Sequence, residues 1–214
     1  MSVQVKICGL NDAEGLDAAV AAGADMVGLV FYSPSPRAVT PAAAAALSAR
    51  HAGTGPLRVG LFVDATDEAI AAVLAALPLD ILQLHGEEDP ARCAAIRARF
   101  GLPVMKALGI ATREDLARLE AYAPAVDRFL LDARPPPGAS LPGGNAAAFD
   151  WHILAGQAVP RPWLLAGGLT PGNVAEAIRV SGAPGVDVSS GVERARGVKH
   201  PALIAGFVAA ARGG

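Results

Sequence analysis

Eight short β-rich runs alternate with eight longer stretches of helical character, most of them alanine-rich, over 214 residues. That rhythm predicts one parallel α/β domain spanning residues 1–214. Two further observations select a closed (β/α)8 barrel, the TIM barrel, over an open doubly wound sheet. Eight β/α units in this length match a barrel. The segment after the first strand, "CGLNDAEG", lacks the glycine spacing of a dinucleotide fingerprint.

The strand candidates in order are "VQVKIC", "MVGLVF", "RVGLFV", "ILQLH", "PVMKAL", "RFLLD", "PWLLA" and "GVDVSS". Each is short and rich in branched or aromatic residues. The helical stretches run from Asp12 to Ala22, Pro41 to His51, Thr66 to Ala76, Pro90 to Phe100, Arg113 to Ala121, briefly near Trp151, Pro171 to Val180, and Pro201 to Arg212. Four open on a residue followed by proline: Thr40-Pro41, Asp89-Pro90, Thr170-Pro171 and His200-Pro201. Proline suits the first helical turn because its missing N–H would have no intrahelical partner there. After the sixth strand, "ARPPPGASLPGGNAAA" reads as an extended βα loop, with Phe149 and Trp151 as its anchors. In a barrel such loops build the active-site face.

Composition narrows the function classes. Apolar residues make up 52% of the chain and charged residues 18%, the balance of a protein with a packed core. A net charge of −2 with mixed signs supplies no field for a polyanion, so no nucleic-acid partner is expected. Apolar runs such as "AAAAAL" stop short of the roughly 18–20 residues a membrane crossing needs. With no basic-then-apolar leader at the start, a cytoplasmic location without a membrane partner is expected. Two cysteines, Cys8 and Cys93, make neither a disulfide framework nor a zinc site. Cys93 lies on helical spacing and reads as filler. His51, His152 and His200 read as surface or capping residues, and Glu87 and Glu88 as a solvated turn. No grouping of His85 with nearby acids has the spacing of a metal site.

Side-chain alternation then assigns the barrel interior. It places Gln4, Lys6 and Cys8 inward from strand one, Gly60, Phe62 and Asp64 from strand three, Ile81, Gln83 and His85 from strand four, and Leu130 and Asp132 from strand six. Cys8, His85 and Asp132 end their strands and so lie at the C-terminal mouth, where catalytic groups of these barrels collect. His85 is expected to contact substrate, and Asp64 to do the same or to cap the next helix. Lower down, Lys6 and Asp187 become neighbours when strand eight closes on strand one, and read as a structural pair. Lys106 either pairs in the same way or reaches the site. Gly167 and Gly168 after strand seven, and Ser189, Ser190 and Gly191 after strand eight, stand where such barrels hold a phosphate on backbone N–H groups. Arg37, after strand two, offers a fork for a carboxylate.

The motifs "KICGL", "GLVFYSPSPR", "VGLFVD", "LQLHGEE", "LLD", "FDW", "LAGGLTPGNV" and "VDVSSGVE" occur in order over essentially the whole chain. Together they resemble the N-(5'-phosphoribosyl)anthranilate isomerase family of tryptophan biosynthesis. That resemblance implies an Amadori rearrangement of the phosphorylated aminoaldose to 1-(2-carboxyphenylamino)-1-deoxyribulose 5-phosphate. By resemblance, Cys8 is the general base, Asp132 the general acid, Arg37 the partner of the anthranilate carboxylate, and the glycine and serine turns the phosphate site. The ligand is thus a small phosphorylated molecule, with other tryptophan-pathway enzymes as candidate partners. The substrate brings its own amine, so no cofactor and no Schiff-base lysine are required. A free thiol titrates near pKa 8.5, so the role needs surroundings that keep Cys8 ionisable. Two positions depart from the pattern: "GGNAAAFDW" carries Ala146 and Ala147, and "GVKH" carries His200 where an acidic residue is commoner. A sugar-phosphate epimerase or lyase using Lys106 is the rival enzyme, and a phosphate-ligand binder without activity is the rival of a different class.

Overall fold

The computed structural model describes residues 2–53, 55–134 and 149–213. Strands β1 (Gln4–Cys8), β2 (Met26–Val30), β3 (Leu57–Phe62), β4 (Ile81–Leu84), β5 (Val104–Ile110), β6 (Arg128–Ala133), β7 (Trp163–Leu165) and β8 (Gly185–Val188) form a closed parallel barrel in sequence order. Closure is made by β1 on β8, with Lys6 opposite Asp187. Around it lie α1 (Ala13–Ala21), α2 (Pro41–Ala49), α3 (Asp67–Ala76), α4 (Pro90–Phe100), α5 (Arg118–Tyr122), α6 (Val174–Ser181) and α7 (Pro201–Ala211). A single 3-10 turn, Trp151–Leu154, stands where the helix between β6 and β7 would be. The loop motif at 135–148, with Ala146 and Ala147, lies outside the described residues.

Local sequence explains where the helices begin. The side chains of Asp12, Thr40, Thr66 and Asp89 each accept the N–H three residues on, satisfying a donor the helix itself leaves free. Pro41, Pro90 and Pro201 occupy first turns as expected. The helix expected from Pro171 starts only at Val174. Asn173 holds a preceding turn instead, accepting from the Thr170 N–H and donating to the Gly168 carbonyl. His200 takes the N-cap position of α7 without a side-chain cap bond. An unexpected antiparallel hairpin, β9 (Glu193–Ala195) and β10 (Val198–Lys199), follows β8.

Two apolar layers hold the barrel. Between strands and helices, Val5, Ile7, Leu82, Phe129, Leu131 and Val186 pack against Leu16, Ile70, Ile96, Val174 and Phe207. Inside the barrel, Met26, Val59, Ile81, Met105, Leu130 and Leu164 fill the floor. Each such side chain contributes roughly 1.5–3 kcal/mol on burial. Strand three corrects the alternation read from sequence. Val59 and Leu61 face inward, whereas Phe62 joins the outer layer, stacked on Phe31. Asp64, assigned inward by the same alternation, lies beyond the strand in a left-handed conformation (φ 47°), where strand alternation no longer applies. Among the described residues no helix is long and apolar enough to cross a membrane.

Candidate active site

Cys8 ends β1 against Val30 and Leu61, with Tyr32 and Val63 beside them. Room for the thiol comes from Gly28 on β2, opposite Cys8 in register. A Cβ there would stand 2.8 Å from Cys8 Sγ and 3.1 Å from Lys6 Nζ. Beneath, Lys6 Nζ donates to Asp187 Oδ1 at 2.6 Å, and both side chains are buried. The expected pair therefore forms, at the base of the thiol. Burial pushes the Cys8 thiol up from its ordinary value; Lys6 pulls it down, Asp187 pushes it up again, and Lys199 pulls it down more weakly. Burial also works against the Lys6 ammonium, but Asp187 and Cys8 outweigh it and raise its pKa.

Asp132 lies one residue before the end of β6, buried, with Oδ1 accepting the Ala133 N–H at 2.8 Å. Its Oδ2 is 3.4 Å from His85 Nε2, and His85 Nδ1 is 3.0 Å from the amide of the fully buried Gln83. Two of the expected mouth residues, His85 and Asp132, thus meet, with Gln83 behind them. The turn that presents His85 is built by Glu88. This residue is buried, correcting its reading as part of a solvated turn: its carboxylate accepts from the Asp64 and Gly86 N–H groups and from Lys106 Nζ at 2.8 Å. Lys106 is paired there, outside the barrel wall, and does not enter the mouth. Asp64 neither caps α3, a task Thr66 performs, nor points to a free site, because Oδ1 accepts the Glu87 N–H. His51 contacts Asp17 and His152 contacts Asp150, both away from the mouth.

On the other side, Arg37 is buried and gives Nε and Nη2 to the two oxygens of Glu193, at 2.6 and 3.0 Å. Nη1 makes no hydrogen bond among the described residues. A Cβ on Gly9 would lie 2.5 Å from Arg37 Cδ and 3.1 Å from Ser189 Oγ, so the arginine stem crosses directly over the residue after Cys8. Lys199, brought in by the hairpin, donates to Glu193 at 2.8 Å and to the Ser189 carbonyl at 2.9 Å. Burial disfavours the Glu193 carboxylate, but Arg37, Lys199 and the Gly197 N–H more than offset it and hold its pKa low. Burial likewise lowers Lys199, against the pull of Glu193. Two cations around one carboxylate leave an excess positive charge beside the mouth.

The two glycine-bearing turns abut. A Cβ on Gly191 would lie 1.8 Å from the Leu169 carbonyl, so only glycine lets the loop after β8 close on the loop after β7. Gly167 and Gly168 have φ of 89° and 61°, and with Ser189 and Ser190 they remain partly open to solvent. Sequence reasoning missed Glu193 and Lys199 as site residues. The signal available was the scarcity of lysine: the chain has three lysines among 18 basic residues. All three are buried and paired with a carboxylate. Surface positions use arginine, so a lysine in this chain marks a buried ion pair.

A closed parallel barrel with a thiol, a carboxyl and an imidazole at its C-terminal mouth, beside an arginine and two paired glycine turns, defines the class: a TIM-barrel protein with acid/base groups at its active-site face. Residues 5–210 match the family described as N-(5'phosphoribosyl)anthranilate (PRA) isomerase, and the chain belongs to that family. A protein from Rhodospirillum rubrum named N-(5'-phosphoribosyl)anthranilate isomerase is 59% identical over 213 residues, covering 98% of each chain. One of the same name from Paracoccus denitrificans is 59% identical over 211 residues, covering 99% of this chain and 98% of its own. The crystal structure of phosphoribosyl anthranilate isomerase from Thermotoga maritima superposes with a TM-score of 0.88 at 37% identity, over 99% of both chains. Another solved isomerase, in complex with reduced 1-(o-carboxyphenylamino)-1-deoxyribulose 5-phosphate, superposes with a TM-score of 0.83 at 36% identity over 99% of both chains.

Proposed function

We propose that this protein converts N-(5'-phosphoribosyl)anthranilate to 1-(2-carboxyphenylamino)-1-deoxyribulose 5-phosphate, a step of tryptophan biosynthesis, with Cys8 as general base and Asp132 as general acid. The reading is supported by family membership over nearly the whole chain. The single observation that carries the residue roles is that Cys8, the last residue of β1, and Asp132, the last but one of β6, stand at the same mouth.

The chemistry runs in three moves. Asp132, carrying its proton, protonates the furanose ring oxygen as the C1'–O bond breaks and the anthranilate nitrogen lone pair forms a C1'=N double bond. The Cys8 thiolate removes the C2' proton; the released pair forms C1'=C2', and the imine electrons return to nitrogen as an enolamine. Tautomerisation adds a proton at C1' and leaves a ketone at C2', so substrate and product are isomers and no redox cofactor is consumed. His85 lies within reach of Asp132 and contacts substrate beside it. Arg37, clamped by Glu193, offers its remaining N–H edge to the anthranilate carboxylate. Backbone N–H groups of Gly167, Gly168, Ser189, Ser190 and Gly191 hold the 5'-phosphate. Buried, free thiols at Cys8 and Cys93 suit the reducing cytoplasm. The enzymes that make this substrate and consume this product are its functional partners.

The test is direct. Purified protein mixed with freshly made phosphoribosylanthranilate removes the substrate fluorescence far faster than spontaneous hydrolysis does, and the product has the mass of the substrate. Release of free anthranilate without that isomer would overturn the proposal.

A further inference from the structure

The mechanism above uses Cys8 as a thiolate but leaves the buried cation below it without a task. Lys6 follows the same inward alternation as Cys8, two residues earlier on β1, and its Nζ and the Cys8 Sγ flank the space that Gly28 leaves empty. The barrel floor of Met26, Val59, Ile81 and Met105 is apolar, and Lys6 has no surface exposed to solvent. Asp187, opposite Lys6 in register, fixes the ammonium at 2.6 Å.

We propose that Lys6 is a positioning residue for the reaction: its ammonium, aimed by Asp187, is the counter-ion that allows the Cys8 thiol to ionise inside the barrel. The proposal rests on the reading of Cys8 as base, and extends it to the residue that makes a buried thiol usable. A thiolate in apolar surroundings is costly unless a cation stands beside it. Other groups around Cys8 do not replace Lys6. Lys199 is engaged by Glu193 and Ser189, and Arg37 gives two donors to Glu193. Tyr32 packs with Val30 and Leu61 near the thiol, and His85 and Asp132 interact with one another on strands four and six. Asp187 opposes ionisation of Cys8, but the attraction of the Lys6 charge is the larger of the two. Removing both members of the pair therefore still leaves the thiol harder to ionise.

That asymmetry separates the proposed role from a merely structural one. If Lys6 only neutralises Asp187, deleting both charges repairs whatever deleting Lys6 alone has broken. A counter-ion of Cys8 leaves a different trace: the double variant regains stability without regaining thiol ionisation. The experiment uses a Cys93→Ala background, so that Cys8 is the single thiol, and follows alkylation by iodoacetamide against pH by intact mass, beside thermal unfolding. Lys6→Met is expected to melt lower and to alkylate at least about tenfold more slowly at pH 8, the effect of one pKa unit. Lys6→Met/Asp187→Asn is expected to recover the melting temperature while still alkylating more slowly than the parent, though faster than Lys6→Met alone, and Lys6→Arg to restore the parental rate. A double variant that alkylates like the parent, or Lys6→Met that does, overturns the proposal. Turnover of Cys8→Ser is measured in the same series. Full activity there defeats the reading of Cys8 as base, whatever alkylation shows about Lys6.

Discussion

Lys106 is the residue on which the isomerase reading and its rival part company, and replacing it by methionine separates them. In a lyase or aldolase-like mechanism a lysine at the mouth would touch the reacting atoms. Here Lys106 is paired with Glu88, their side chains 1% and 2% exposed, and also donates to the carbonyls of Gly86 at 2.6 Å and Leu84 at 3.4 Å. Removing one member of a buried ion pair costs about 3–5 kcal/mol, because the remaining charge is stranded. Glu88 retains two backbone N–H donors, at 2.8 and 2.9 Å, which places the cost near the lower end. With roughly 2–4 °C lost per kcal/mol in a domain of this size, about 3 kcal/mol lowers the melting temperature by about 6–12 °C. Circular dichroism measures that fall, and turnover at a temperature well below the transition measures catalysis. Activity there should stay within about tenfold of the parent, since Lys106 acts on His85 only through the Gly86 turn and makes no contact that strengthens in the transition state. An unchanged melting temperature combined with near-complete loss of turnover would refute the reasoning and return Lys106 to the mouth.

Two further outcomes test the anion-binding half of the site. Gly191→Ala must push the Leu169 carbonyl away from a Cβ that would sit 1.8 Å from it. This separates the two turns proposed to hold the phosphate, so KM is expected to rise by about tenfold or more with kcat less affected, and inorganic phosphate to inhibit correspondingly more weakly. Glu193, whose folded pKa is held below its ordinary value of 4.5, contributes stability that is fully present above that value. The contribution is lost as pH falls through the lowered folded value. The difference in melting temperature between the parent and Glu193→Gln should therefore be constant from pH 7 to about pH 5 and shrink as the solution is made more acid.

Much of this was legible in the residues because a barrel repeats one rule eight times. Strand and helix alternation gave the closed sheet, and parity on β1, β4 and β6 placed Lys6, Cys8, Gln83, His85 and Asp132 on the inner face. Closure then brought Lys6 to Asp187, a contact 181 residues apart in sequence. The failures are equally physical. The inward assignment of Gly60, Phe62 and Asp64 on β3 was one residue out of phase: Val59 and Leu61 face inward, and Asp64 lies beyond the strand. Glu88 looks like a surface residue in "HGEE" because its partner, Lys106, comes from a different strand and its other partners are backbone N–H groups, which carry no sequence signal. Glu193 and Lys199 lie on a hairpin that breaks the β/α rhythm, so the clamp on Arg37 was hidden even though the arginine itself was visible.

The central claim is that one thiol and one carboxyl, at the ends of β1 and β6, move the protons of a sugar rearrangement. The most direct measurement is the single-turnover decay of phosphoribosylanthranilate fluorescence with parent, Cys8→Ser and Asp132→Asn proteins, each first shown to be folded and to bind the product. The account predicts that each substitution slows decay by about 10²–10⁴-fold with binding changed by less than about tenfold, as expected for general acid and base groups that contribute little to ground-state affinity. Decay at the parental rate in either variant would contradict it.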